Sequence, residues 1–402
     1  MDIYEYQAKK IFRDLDVPAP YGLIAYTPNE AKQVAFHVSH DGPWVVKAQI
    51  LAGSRDIGKF SDRRAGRRGG IRLSKTLDEV YQNADEMLEN MLITNQTGAK
   101  GRLVSRVYVE EYIKTIKKFY VCFVIDRITA STVLLLTPVS VHMSDDILSM
   151  SMLAPDDILK VNLGLQKELT PSQISLITRF MNFEGKKSHL KSFFNKVLNV
   201  FYLYDATMLE ISPIGITKDN RILALDAKIV FDQNALYRHR EIQRLTDETG
   251  IDERVKTAAQ FGFQYRELNN GIGIISNGCG LAFNIINEAK KQDLDTACFL
   301  NLKGGVDRDK ITASIKLIMT NPKVDGIFIN ILGGFLRCNL IADGIIAVAN
   351  DLGLNIPLVV RFEGTNKEEA INILQSSGLP LKIATNTFSG LEMLKKAIAE
   401  DL

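Results

Sequence analysis

Cysteine is scarce in this chain, with four residues among 402. Cys122, Cys279, Cys298 and Cys338 are widely spaced and form no Cys-x-x-Cys pair. The sequence therefore indicates neither a zinc site nor a disulfide framework. Each cysteine is expected to be a small buried hydrophobic residue.

A strong charge of one sign is also lacking, because 49 basic residues face 47 acidic ones and the net charge is +2. No global field would attract nucleic acid. No apolar run reaches the length of a membrane span, and the first residues, MDIYEYQAKKIF, lack the basic and apolar regions of a secretory signal. We therefore expect a cytoplasmic protein without a membrane partner. The length of 402 residues predicts two or three domains.

The segment from 207 to 226 predicts a β-hairpin, since apolar and polar residues alternate on both sides of a turn at 218 to 220. Antiparallel pairing about this turn places Ser212 opposite Asp226, with Glu210 on the same face as Ser212. Oxygen side chains that converge in this way suit Mg2+. The alternative is a hairpin edge with solvated polar groups.

A single lysine, Lys47, interrupts the β-rich run from 44 to 50. A lysine on a strand beside a glycine-containing loop can bind the phosphates of a nucleotide. Exposed lysines on strands are the commoner case, so this position alone leaves both interpretations open.

The loop after this strand is strongly basic. It could bind the phosphates of a nucleotide or of RNA, or it could be a solvated loop. Only Phe60 is interleaved with the cations, so the stacking platform for single-stranded nucleic acid is missing and nucleic acid is not an expected partner. The basic residues are Arg55, Lys59, Arg63, Arg64, Arg67, Arg68 and Arg72.

Two patterns divide the chain near residue 245. Three β-rich runs from 102 to 137 predict a meander, helical periodicity follows from 171 to 201, and together they favour an α+β domain over 1–245. Over 246–402, apolar strands that end in Gly-rich turns alternate with helical segments. This second pattern predicts an α/β domain, a flavodoxin-like doubly wound parallel sheet of about five strands with a ligand site at their carboxyl ends.

Several segments resemble the β subunits of ADP-forming succinate-CoA ligases, and among these the malate-CoA ligase β subunits. They are MDIYEYQAK, WVVKAQ, TMLEISPIGITKDNRILALDAK with NALYR, SNGCGLA at 276 to 282 and NILGGFLRCNLIADGI at 330 to 345. The resemblance covers essentially the whole chain. It implies an ATP-grasp domain over 1–245 followed by a CoA-ligase domain over 246–402.

The implied activity joins a dicarboxylic acid, succinate or malate, to CoA at the cost of ATP, through an acyl phosphate and a phosphohistidine. ATP is then a substrate and Mg2+ a cofactor. The implied partner is an α subunit that binds CoA and carries the phosphorylated histidine.

The resemblance also assigns site residues. Glu210 matches a catalytic glutamate near the shuttling histidine, and Ser212 and Asp226 match the metal ligands. Positions matched to nucleotide binding are Lys47, Ser54, Arg55, Asp56, Glu110, Ile113 and Lys118. Positions matched to the acid substrate are Asn277, Gly334, Phe335 and Leu336.

Departures from the family pattern concentrate in the nucleotide half. Ser212 replaces an asparagine ligand, Lys118 replaces a glutamate, and Asp56 replaces a glycine of the phosphate loop. A hydroxyl is a shorter ligand than an amide carbonyl, so Mg2+ would be held weakly or through water. The alternative to an enzyme is therefore a regulatory paralogue that keeps the fold and the α-subunit interface but has impaired nucleotide binding.

Overall fold

The computed structural model describes residues 1–139, 157–247, 252–303, 307–334 and 336–401. Contacts divide the chain into two compact units, Met1–Asp247 and Glu248–Leu402. Among the described residues, no helix combines the length and the apolar character that crossing a bilayer would require.

Unit 1 combines helices with short and long strands. Its helices are α1 (Glu5–Asp14), α2 (Pro28–Val38), α3 (Leu77–Met87), α4 (Pro171–Phe180), α5 (Lys187–Leu203) and α6 (Arg240–Gln243), with short 3-10 turns at Arg63–Ala65 and Gln233–Arg238. Its strands are β1 (Gly22–Ala25), β2 (Trp44–Ala48), β3 (Lys59–Phe60), β4 (Ile71–Ser74), β5 (Met91–Ile93), β6 (Arg102–Leu103), β7 (Val107–Glu111), β8 (Lys117–Asp126), β9 (Ser131–Pro138), β10 (Leu159–Gly164), β11 (Ala206–Ile216), β12 (Ile222–Ala224) and β13 (Lys228–Phe231).

Threonine caps begin three of these helices. The hydroxyl oxygens of Thr27, Thr76 and Thr170 accept a backbone N–H from the first turns of α2, α3 and α4. Pro28 and Pro171 occupy the first helical position, where a missing N–H costs nothing.

The described part of unit 1 contains three sheets. They have the orders β1-β7-β2-β4, β10-β9-β8-β11-β12 with β13 beside β11, and β3-β5-β6. The predicted meander is therefore wrong at its first strand, because β7 pairs with β1 and β2 instead of β8. The backbone N–H groups of Glu111 and Tyr112 bond to Tyr21 and Pro43, and this holds the end of β7 in the first sheet.

Helix α1 has one apolar face and one charged face. Ala8, Ile11 and Phe12 are buried in the core of the six-stranded sheet, with helix α5 and strands β8 and β11. Glu5 and Lys9 are buried as well, although they are charged. Such burial requires partners of opposite charge.

The predicted hairpin is confirmed. Strand β11 pairs antiparallel with β12 through Ile214 and Ala224, and with β13 through Glu210 and Lys228. The two pairings share one register. Ser212 and Asp226 lie between the paired residues, at positions that this register places opposite each other. Asp226 lies in the break between β12 and β13.

Unit 2 alternates strands and helices. Its strands are β14 (Gln264–Glu267), β15 (Gly271–Ser276), β16 (Thr296–Asn301), β17 (Val324–Gly333), β18 (Leu358–Gly364) and β19 (Leu381–Ile383). Its helices are α7 (Glu253–Gln260), α8 (Cys279–Lys291), α9 (Arg308–Met319), α10 (Cys338–Leu352), α11 (Lys367–Ser376) and α12 (Thr387–Asp401).

The sheet of unit 2 has the order β14-β16-β15-β17-β18-β19. Its five parallel strands follow the flavodoxin order 2-1-3-4-5, so the predicted fold is confirmed. Helices α8 and α12 cover one face, and α9, α10 and α11 cover the other, which explains why the strands are apolar throughout. Strand β14 adds an antiparallel edge that the sequence did not reveal, because the segment QYRE lacks an apolar run.

Candidate functional site

Lys47 and Glu110 come from neighbouring strands of the first sheet. Val45 lies directly opposite Glu110 in the β2–β7 register, so Lys47, two residues further along β2, shares the face of Glu110. Lys47 Nζ donates to Glu110 Oε1 at 2.7 Å, to Glu5 Oε1 at 2.7 Å and to the carbonyl oxygen of Leu225 at 2.6 Å. An ammonium group has three donors, and here the protein accepts all three.

A second lysine, Lys9 of α1, is completely buried beside the first. Its Nζ contacts Glu110, lies 3.1 Å from Glu5 Oε1 and donates to the carbonyl oxygen of Leu225 at 2.7 Å. This lysine therefore makes two hydrogen bonds to protein oxygens and an ion pair with Glu5.

Arg55 connects these charged side chains to Asp226 of the hairpin. Its Nη2 lies 2.7 Å from Glu5 Oε2 and 2.9 and 2.8 Å from the two carboxylate oxygens of Asp226, while Nη1 donates to the carbonyl oxygen of Ala48. We call the six charged side chains the ion-pair cluster, which has three cations and three anions and is formally neutral. Its members are Glu5, Lys9, Lys47, Arg55, Glu110 and Asp226.

Charge pairing outweighs burial within this cluster. Burial alone would raise the pKa of Glu5, but Lys47, Lys9 and Arg55 hold it well below its ordinary value of 4.5. Burial alone would lower the pKa of Lys47, yet Glu110 and Glu5 raise it above its usual range. Glu5 and Lys47 therefore both carry their charge at neutral pH.

The glycine-containing loop from 51 to 56 contributes only Arg55 to the cluster. Ser54 has a left-handed backbone with φ of 56°, and the side chain of Asp56 is exposed. The backbone N–H of Gly53 donates to Gln96 Oε1 at 2.7 Å. A loop amide that would be free to bind an anion is thus already bonded to a side chain.

The predicted metal ligands do not form a metal site as they are placed. Both oxygens of Asp226 accept from Arg55, and the Ser212 side chain is exposed. Within the described ranges, no group of three or more His, Cys, Asp or Glu side chains is arranged to hold a metal ion. The present donor set therefore does not fit Mg2+, which requires oxygen ligands at about 2.0 to 2.1 Å.

Glu210 lies on β11 between Cys122 of β8 and Lys228 of β13. Burial raises the pKa of the Cys122 thiol, and the carboxylate of Glu210 raises it further. The pKa of Tyr120 is raised by burial, by Cys122 and by Glu210. This predicted catalytic residue thus faces a buried phenol and thiol of the six-stranded sheet. Ile113 is half-buried in the loop after β7, and Lys118 is exposed on β8.

In unit 2, Asn277 lies at the carboxyl end of β15. Its side chain donates to the carbonyl oxygen of Leu332 at 2.6 Å and accepts the backbone N–H of Leu332 at 2.9 Å, which ties β15 to the end of β17. The carbonyl oxygen of Gly334 accepts from the Thr365 hydroxyl, and the Leu336 side chain is buried in the core. Phe335 lies outside the described residues.

Comparisons with known proteins agree with this architecture. A family model of the ATP-grasp domain matches residues 2–216, and one of the CoA-ligase domain matches residues 275–390. The chain is 38% identical to the ADP-forming succinate–CoA ligase subunit beta of Rhodospirillum rubrum over 405 residues, with 100% of each chain covered. It is 38% identical to that of Rhodopseudomonas palustris over 400 residues, with 99% of each covered.

This chain belongs to the succinate–CoA ligase β-subunit family. A solved structure of ATP citrate lyase from Methanothrix soehngenii has a TM-score of 0.70 with 12% identity, and covers 98% of this chain and 99% of that one. At such low identity the likeness shows the fold alone. The predicted family and fold are thus confirmed.

The structure brings together four of the positions that the family resemblance assigned to nucleotide or metal. Lys47, Arg55, Glu110 and Asp226 come from three separate regions of the sequence and meet in the ion-pair cluster. Sequence reasoning missed Glu5 and Lys9, which are the other two members of the cluster. The available signal was their presence, four residues apart, in the segment MDIYEYQAK that the family shares.

The basic segment is solvated in part, as one expectation had it, since Arg64, Arg67 and Arg68 are exposed. Arg64 pairs with Asp62, and Arg68 pairs with Glu86 at 2.6 Å. Arg72 is buried and also contacts Glu86. Asp62 and Glu86 therefore neutralise part of this charge, and phosphate binding by the segment stays a prediction.

The cysteine prediction is right for Cys122, Cys298 and Cys338, which are buried and free. Cys279 is only half-buried and begins helix α8. Its sulfur accepts from the Asn301 side chain at 3.2 Å. Residues at the first turn of a helix that starts at a sheet edge remain partly open to solvent, which explains the exception.

Proposed function

We propose that the chain is the β subunit of an ADP-forming acid–CoA ligase that acts with an α subunit. The proposed acid is succinate or malate, and ATP supplies the phosphoryl group. The observation that carries the proposal is the convergence of Lys47, Arg55, Glu110 and Asp226 in one largely buried cluster, since the resemblance assigns these four positions to the nucleotide or the metal. Identity over the full length of curated succinate–CoA ligase β subunits supports it.

Phosphoryl transfer depends on neutralising charge and aligning the reacting groups. In the proposed reaction, the ammonium of Lys47 and the guanidinium of Arg55 bind phosphate oxygens after they leave their carboxylate partners. Glu210 is proposed to act beside the phosphohistidine of the α subunit. Asn277 and the turn at 334–336 are proposed to hold the acid at the carboxyl ends of the parallel strands.

The test is calorimetric titration of Mg-ATP and Mg-GTP into the purified chain, alone and with its candidate α subunit. Thioester formation from CoA with succinate or malate is measured in parallel. Binding in the micromolar to millimolar range together with acyl-CoA production supports the proposal. A folded complex that binds nucleotide but makes no thioester from either acid contradicts the proposed substrates.

A second candidate is a regulatory paralogue that assembles with the α subunit without nucleotide turnover. The observation that favours it is the complete use of the Lys47 donors by protein oxygens. The exposed Lys118 and Ser212 at family nucleotide and metal positions point the same way. A complex that forms on size-exclusion chromatography but gives no heat with either nucleotide supports this candidate and contradicts the ligase.

A further inference from the structure

A single nitrogen of Arg55 lies among three carboxylate oxygens. Nη2 is 2.9 and 2.8 Å from the two oxygens of Asp226 and 2.7 Å from Glu5 Oε2. The side chains of Arg55 and Glu5 are 7% and 1% exposed, while that of Asp226 is 20% exposed. The nitrogen is nearly equidistant from both oxygens of Asp226, so it bridges this carboxylate as a cation would.

We propose that Arg55 is the resident cation at Asp226 and excludes a divalent metal ion from this carboxylate in the nucleotide-free chain. A divalent ion binds to Asp226 only after the guanidinium has left. The inference rests on the proposed function in one respect, that Asp226 is taken as the family's metal position. It goes beyond that function because it assigns Arg55 the role of a competitor for the metal site.

The distances show that the Arg55 guanidinium and a divalent ion cannot occupy this position at Asp226 together. Hard divalent ions lie about 2.0 to 2.6 Å from their oxygen ligands, so a bound ion would occupy the space between Asp226 and Nη2. Asp226 Oδ1 also accepts the backbone N–H of Ala227 at 2.7 Å, which fixes the carboxylate toward Arg55. A metal ion can therefore enter the position between both oxygens of Asp226 and Nη2 only after a rearrangement.

The charge balance of the cluster also disfavours a divalent ion while Arg55 is in place. The cluster is neutral with Arg55 in place, and an added divalent ion would leave two positive charges in excess among largely buried groups. While Arg55 is in place, the cluster therefore has no net negative charge for a divalent ion to neutralise.

Loss of Arg55 should create a divalent site. Lys47 and Lys9 contact Oε1 of Glu5, whereas Arg55 contacts Oε2, so the lysines can stay in place when the arginine is removed. Three carboxylate oxygens would then face one cavity that reaches solvent through Asp226. Water would complete the coordination of a hard cation there.

The experiment is Mn2+ titration of the full chain without nucleotide, with free Mn2+ followed by electron paramagnetic resonance. Four proteins are compared: the natural chain, Arg55→Met, Asp226→Asn and the Arg55→Met/Asp226→Asn double variant. Arg64→Met is the matched control, since Arg64 belongs to the same segment but forms an exposed pair with Asp62.

The expected result is that the natural chain, Asp226→Asn and Arg64→Met bind Mn2+ equally weakly. Arg55→Met should gain one site with affinity about tenfold or more above the natural chain, and the double variant should lose it. No gain in a folded Arg55→Met protein would overturn the proposal. So would Mn2+ binding to the natural chain that Asp226→Asn removes, and this second comparison holds even if Arg55→Met does not fold.

The result of the Mn2+ titration does not depend on whether the chain acts as a ligase. The titration uses neither nucleotide nor acid, so a chain without thioester production can still show the Arg55-dependent gain. An active ligase whose natural chain binds Mn2+ at Asp226 without nucleotide would overturn only the role of Arg55.

Discussion

Lys47 Nζ lies 2.7 Å from Glu110 Oε1, and both side chains are buried. The family resemblance assigned both positions to nucleotide, yet in this structure each neutralises the other. A nucleotide that uses Lys47 must therefore replace contacts to Glu110, Glu5 and Leu225, and the free energy of those contacts lowers its apparent affinity.

Glu5→Gln should destabilise unit 1 by about 3 to 5 kcal/mol, because it leaves three buried cations with two carboxylates. Urea unfolding measures the change. Asp85→Asn is the control, since Asp85 is exposed on α3 and its substitution should alter stability by less than about 0.5 kcal/mol. Equal effects of the two substitutions would show that the cluster contributes no stability.

Acid should weaken the fold through the same residue. The folded-state pKa of Glu5 lies well below its ordinary value of 4.5, so its contribution is complete above that value and is lost as pH falls toward the folded pKa. The urea midpoint should therefore drop as pH decreases from about 5 to 3, and less steeply in Glu5→Gln. Parallel curves for both proteins would contradict this assignment.

Ser212→Asn combined with Lys118→Glu should raise Mg-ATP affinity by about tenfold, if these two departures weaken a nucleotide site that still binds. The amide oxygen would add a better metal ligand opposite Asp226, and the change at the exposed Lys118 leaves the core intact. Calorimetry gives the affinity. Unchanged binding would contradict the view that these two departures limit the site.

Gly364→Ala should cost at least about 2 kcal/mol of stability. A Cβ atom there would lie 1.9 Å from the Gly333 carbonyl oxygen, and the φ of Gly364 is +97°, which disfavours any side chain. Gly280→Ala in helix α8 is the matched control, because a Cβ meets open space and alanine favours the helix. Thermal unfolding of both variants measures the difference, and similar melting temperatures would refute the expectation.

Asn277→Ala should destabilise unit 2 by about 1 to 3 kcal/mol, because it removes two hydrogen bonds to the Leu332 backbone. If Asn277 also holds the acid, the KM for that acid should rise as well. Denaturant unfolding and steady-state kinetics separate these effects. Lost stability with an unaltered KM would assign Asn277 a structural role only.

The sequence predicted the parts of the fold that depend on periodic burial. The strands β15 to β18 are apolar on both faces, and apolar and polar residues alternate on both sides of the turn at 218 to 220. The sequence pattern therefore predicted both. Strand β14 was missed because Gln264 and Arg266 on it are exposed. The sheet to which β7 belongs was also missed, since pairing with β1 depends on contacts distant in sequence.

The candidate site was predicted only in part. Lys47 was found on a strand and Asp226 in the hairpin, but the cluster members Glu5 and Lys9 look like the polar face of an ordinary amphipathic helix. Composition cannot show that such charges are buried. Their burial depends on contacts with Lys47, Arg55 and Glu110, which are distant in sequence.

The carbonyl oxygen of Leu225 accepts hydrogen bonds from both Lys9 and Lys47. During synthesis, helix α1 leaves the ribosome long before this carbonyl group exists, so Lys9 and Lys47 lack one of their acceptors until the hairpin is complete. A nascent chain that ends before Leu225 would also lack Asp226, the hairpin's member of the cluster. The first helix and the last hairpin of this unit are therefore expected to become protease-resistant together, late in translation.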